Sequence, residues 1–139
     1  MQSPLMQSPL IYIASPYSHP DHVVRLFRIE RSLEMERFLL DRHFAVYSPL
    51  GAARRDILDE AAHRLHGLTM LRHCDAMIVL TLEGWRESVG VKGELDLAID
   101  LGIPAFAVDP EFNNVIPNDG FWAIVRDSAE ARCAEKHGG

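Results

Sequence analysis

The chain has 139 residues, 47% of them hydrophobic and 24% charged, which suits one domain with a real core and disfavours disordered, collagen-like and coiled-coil classes. Twenty acidic against 14 basic side chains give a formal charge of −6, which argues against a surface built for nucleic acid but permits a small anionic ligand held by backbone N–H groups. The two cysteines, Cys74 and Cys133, form neither a CxxC pair nor a disulfide framework, and no run approaches the ~18 apolar residues of a membrane helix, so a soluble cytoplasmic protein is expected.

Residues 1–9, which open on a duplicated MQSPL, read as a tail, with Met6 a candidate natural start; residues 10–139 read as a single domain. LIYIA (10–14) is a short apolar, β-branched run broken at Ser15-Pro16, the pattern of a buried parallel strand. Pro20-Asp21 then opens a helix to about Arg42, with Leu26, Ile29, Leu33 and Leu40 on one stripe. FAVYS (44–48) is a second strand, ended by Pro49-Leu50-Gly51, and helix fills most of 52–73. Asp75 precedes AMIVLTL (76–82), the most apolar run and so the expected central strand. A polar loop, a helix over 90–101, the strand AFAV (105–108), a loop rich in Pro and Asn and a helix over 119–135 complete the chain. Such alternation predicts an α/β fold, flavodoxin-like or Rossmann-like, with a five-stranded parallel sheet and helices on both faces. Ligands of these sheets bind at the carboxyl ends of the strands, which points to the loops at 15–20, 49–53, 83–90 and 109–118.

GWRESVGVKGELDLAIDLGIP (84–104) carries the most chemistry. Ser88, Gly90 and Gly93 are small residues at the turn into a helix, where free N–H groups and the positive dipole end favour an anion such as phosphate. Glu94 follows and would face the crevice beside that anion, although a carboxylate there also simply complements the helix dipole. Tyr12, near the carboxyl end of the first strand, has a phenol able to reach the same crevice; the plainer reading is a packed strand aromatic. Together they suggest a carboxylate nucleophile held by a phenol beside an anion-binding turn. Ser15, Tyr17 and Ser18 in the loop SPYSH (15–19) form the other expected wall, the hydroxyls for sugar or phosphate and the ring for stacking on a base, or else an ordinary Pro16 turn. The seven histidines show no HExxH motif and no zinc-spaced cysteines, so no metal site is expected. Arg54, Arg55 and Asp56 read as a solvated helix start, and Trp85 and Trp122 as packing aromatics.

In IYIASPYSH (11–19), VYSPL (46–50), LRHCDAMIVL (71–80) and GWRESVGVKGE (84–94), the chain resembles the nucleoside 2-deoxyribosyltransferase superfamily. The resemblance is strongest to its small branch of 2'-deoxynucleoside 5'-monophosphate N-glycosidases and to an uncharacterised bacterial and phage subgroup. The Ser-x-Gly-x-x-x-Glu spacing of Ser88, Gly90 and Glu94 looks like that family's phosphate-binding turn and nucleophile, and Tyr12 falls where the family keeps a tyrosine that contacts the carboxylate.

The resemblance implies cleavage of the bond between a nucleobase and C1' of deoxyribose. The transition state is oxocarbenium-like, and a carboxylate opposite the departing base stabilises it and traps the sugar. Hydrolysis, base exchange between nucleosides, and a catalytically silent nucleotide-binding module are the three readings. No metal or organic cofactor is implied, the partner is a small nucleotide or nucleoside, and a homo-dimer or higher homo-oligomer is expected. One position departs from the pattern. Family members carry an aspartate eight residues before the acid that opens the central strand, and counting back from Asp75 reaches Gly67. His66 is the adjacent candidate for a general acid, and Asp59 and Glu60 are the nearest carboxylates upstream.

Overall fold

The computed structural model describes residues 9–50 and 59–109. The expected helix over 119–135, together with Arg54, Arg55, Asp56, Trp122 and Cys133, lies outside the described residues. The elements are β1 (Leu10–Ala14), α1 (His22–Leu40), β2 (Ala45–Tyr47), α2 (Glu60–Leu71), β3 (Ala76–Leu80), a 3-10 turn (Trp85–Glu87), α3 (Val89–Leu101) and β4 (Ala105–Val108).

The strands pair in parallel in the order β2-β1-β3-β4. The chain builds outward from β1 in one direction and then in the other, so the switch point, where sheets of this kind place their ligand crevice, lies between the carboxyl ends of β1 and β3. The expected five-stranded sheet is four-stranded among the described residues. The Pro- and Asn-rich stretch after Val108 lies outside the described residues.

Alternation along β1 splits the core into two layers. Ile11 and Ile13 face α1, packing with Met35 and Leu39 alongside Ile78 and Leu80 of β3. Tyr12 and Ala14 face the other way, toward Leu71 of α2 and Val91 and Ala98 of α3. Covered on both faces, β3 is buried at all five positions, which is why its sequence is an unbroken apolar run rather than an alternating one. Asp75 fixes how β1 and β3 align. Its carboxylate accepts the Leu10 N–H at 2.8 Å while its own N–H donates to the Leu10 carbonyl at 2.7 Å, and Tyr12 then lies beside Met77.

The inner stripe of α1 differs from the expected one. Leu26 and Leu40 are exposed at 46% and 51%, while Arg28, Ile29, Ser32, Met35 and Leu39 are buried. Two polar residues occupy the inner face because each has a partner there. The Ser32 hydroxyl lies 2.9 Å from that of Ser48 at the end of β2, and Arg28 donates to two loop carbonyls. No helix among the described residues is long and apolar enough to cross a membrane.

Candidate active site

Tyr12 stands on the β1 face that looks toward α2 and α3, and its ring is buried. Beyond β3, Gly84 takes a left-handed φ of 88° and turns the chain into the 3-10 segment, after which Ser88 caps α3 by accepting the Val91 N–H at 3.2 Å. The helix therefore starts at the crevice, and Glu94 lies in its second turn on the side facing the sheet. There the Tyr12 hydroxyl donates a hydrogen bond to Glu94 Oε2, joining residues 82 apart in sequence.

The surroundings set the protonation of both groups. Burial pushes the Glu94 carboxyl up to about 7, against the opposing effect of the Tyr12 hydrogen bond, which favours the carboxylate. Burial, followed by the charge and hydrogen bond of Glu94, holds the Tyr12 phenol far above its ordinary range. The phenol is thus a permanent neutral donor. The carboxylate is poorly solvated and is oriented by the hydrogen bond from the Tyr12 phenol, a combination that suits nucleophilic attack on a cationic carbon.

Two further residues close around this pair, and neither was singled out in the sequence for the role it takes. Tyr47 is the register partner of Tyr12, with ring centroids 5.6 Å apart. Its hydroxyl is buried and has no hydrogen-bond partner among the described residues, and burial, then Cys74 and Glu94, raises its pKa. Gly67 of α2 lies directly against the Tyr12 hydroxyl: a Cβ built there would fall 3.0 Å from that oxygen. Position 67 therefore adjoins the pair, and it carries no side chain. The alternation of FAVYS, which puts Tyr47 and Tyr12 on one face once their strands pair, is the signal from which Tyr47 could have been found.

The other expected site residues are placed as follows. His66 is exposed and meets the Tyr47 ring edge-on at 5.9 Å between centroids. Asp59 caps α2, its carboxylate accepting the Ala62 N–H at 2.7 Å, eight residues and so about 12 Å along the axis from Gly67. The structure does not bring Asp59 to the Tyr12–Glu94 pair. Ser88 and Gly90 occupy the cap and first turn of α3. In the loop after β1, Ser15 donates to the Pro16 carbonyl at 3.1 Å, Tyr17 is half-buried, and Ser18 is exposed with its carbonyl accepting from Arg28. Trp85 packs against the core layer that holds Tyr12. Among the described residues no three metal-ligating side chains converge.

The fold has a counterpart among solved structures. A 2-deoxyribosyltransferase from the psychrotolerant bacterium Bacillus psychrosaccharolyticus, described as a biocatalyst for the synthesis of antiviral and antitumoral nucleosides, matches with a TM-score of 0.56. The two are 19% identical, over 73% of this chain and 72% of that one, and the likeness is one of fold. The motif-based resemblance to the deoxyribosyltransferase superfamily is thus met in the arrangement of the backbone. No curated protein matches the chain in sequence. Residues 9–109, well over half of the chain and containing Tyr12, Tyr47, Gly67 and Glu94, match the family described as a domain of unknown function, DUF1937, and the chain belongs to that family.

Proposed function

We propose that this protein cleaves the N-glycosidic bond of 2'-deoxynucleoside 5'-monophosphates or the corresponding nucleosides, with Glu94 as nucleophile and Tyr12 as the group that aims it. The observation that carries this reading is the part-buried phenol–carboxylate hydrogen bond between Tyr12 and Glu94, at the switch point of the sheet and in the second turn of α3. Attack of a Glu94 oxygen on C1' forms an ester bond to the sugar as the C1'–N bond breaks, and the base leaves with the electron pair and gains a proton. Water then attacks C1', its proton passes to solvent, and the carboxylate is restored. Ser88, whose hydroxyl oxygen caps α3, and Gly90 would hold the phosphate at the start of that helix. Ser15, Tyr17 and Ser18 would wall the sugar and base, and His66 at the rim would supply the proton to the base. The missing 2'-hydroxyl of a deoxyribose eases formation of the cationic sugar, which favours deoxy substrates.

Base exchange shares the glycosyl-enzyme intermediate and differs only in the second acceptor; the fold shared with a deoxyribosyltransferase favours weighing it. A silent nucleotide-binding module is favoured by one observation, the bare Gly67 beside Tyr12. The test is a panel of deoxy- and ribonucleosides and their 5'-monophosphates, chromatographed for free base with and without an added acceptor base, using the native protein and Glu94→Ala. Release from deoxy substrates that falls by about 10³-fold or more in the variant is expected. Undiminished release by Glu94→Ala overturns the assignment, a new nucleoside identifies transfer, and ligand-induced stabilisation without product identifies the silent module.

A further inference from the structure

Arg28 is a buried cation, 6% exposed, on the inner face of α1, and among the described residues no carboxylate pairs with it. Its guanidinium instead spans two loops. One nitrogen donates to the Ser18 carbonyl at 2.9 Å, in the loop after β1, and the other to the Glu83 carbonyl at 2.7 Å, in the loop after β3. These loops leave the carboxyl ends of the two strands at which the sheet order reverses, so they are the facing walls of the crevice. Burying a guanidinium without a counter-charge is costly, and the planar fork with its fixed donors recovers part of that cost only if both acceptors stay in place. Gly84, next to Glu83, is fitted to the same contact. A Cβ there would fall 3.0 Å from the guanidinium nitrogen that binds Glu83, and its φ is +88°. The neighbouring Arg25 also holds this part of the chain, donating to the His19 and Pro20 carbonyls, but it does not cross to the other wall.

We infer that Arg28 is a positioning residue that ties the two walls of the crevice together and so sets the distance between the loop after β1 and the start of α3, across which the substrate is gripped. The inference rests on the proposed function for its kinetic form. Tyr12 is held in β1, and Glu94 by the hydrogen bond from Tyr12 and by the packing of α3 on the sheet through Val91 and Ala98, contacts that do not include Arg28, so loosening the clamp should impair substrate binding more than bond cleavage.

The experiment compares the native protein with Arg28→Met, Arg28→Lys and Gly84→Ala in steady-state kinetics and amide hydrogen exchange. In Arg28→Met, KM should rise about 10-fold or more with kcat within about twofold, the signature of lost binding shared by ground and transition states. Gly84→Ala should do the same by displacing the guanidinium, and Arg28→Lys should recover part of the loss. A merely structural role would instead lower kcat with the active fraction and leave KM alone, and that result overturns the inference. Exchange is read without substrate. Amides of 15–19 and 83–88 should both lose protection in Arg28→Met while those of β3 keep theirs, and unchanged protection in either loop overturns the clamp. A native protein that releases no base refutes the proposed function, and the exchange arm then decides the clamp by itself.

Discussion

Glu94 sits at about 7 because burial penalises its charge, and two outcomes follow from the direction of that shift. The nucleophile must be ionised, so kcat/KM should climb with pH through an inflection near 7, measured on whichever substrate the panel identifies. Tyr12→Phe removes the one contact that favours the carboxylate, so the inflection should move to higher pH as kcat falls. Stability should respond with the opposite sense. A carboxyl whose folded pKa lies above its unfolded value of about 4.3 favours folding while protonated, and that advantage is lost as pH rises from about 4.3 through the folded value. Glu94→Gln should therefore be inactive yet melt a few degrees higher than the native protein at pH 8, with the difference vanishing near pH 4, by thermal denaturation at both pH values. A variant that melts lower at pH 8 would show that ionised Glu94 stabilises the fold.

At the scale of elements, α2 is docked so that its backbone, rather than a side chain, meets the Tyr12 hydroxyl. Gly67→Ala gains up to about 1 kcal/mol of helix propensity but forces its methyl against that oxygen, so stability should change by less than about 1 kcal/mol while kcat falls about tenfold. Denaturant melts and steady-state rates on the same preparation check this. Ser88→Ala should cost about 1 kcal/mol through loss of the α3 cap, and raise KM for monophosphates more than for nucleosides if the hydroxyl also meets phosphate. The elements themselves were largely legible in the sequence. The four strands are short, largely apolar runs bounded by turn residues, and the sequence pattern marks each within a residue or two of its observed ends. The phase of α1 was not legible, because Arg28 and Ser32 face inward for the sake of Ser18, Glu83 and Ser48, partners brought to them only by the tertiary fold. The site divides in the same way. Tyr12 and Glu94 could be named from their motifs, whereas the parts played by Tyr47 and Gly67 depend on strand register and helix docking that no local pattern encodes.

For the whole molecule, the pairing of Asp75 with Leu10 ties the beginning of the domain to its middle. Asp75→Ala should lower stability by about 1–2 kcal/mol, read from denaturant melts, and loosen amide protection in β1 and β3 together, since the register of both rests on this residue. The central place of β1 also has a consequence for biosynthesis. β1 has to be flanked on both edges, yet its second neighbour, β3, begins 66 residues after β1 does. At 5–20 residues per second, roughly 3–13 s pass with an apolar strand edge unsatisfied, a window in which a nascent chain is open to intermolecular strand pairing. Fragments ending before Ala76 should therefore aggregate, whereas chains extended through β3 should not, so the order in which the segments are translated bears directly on the yield of native protein.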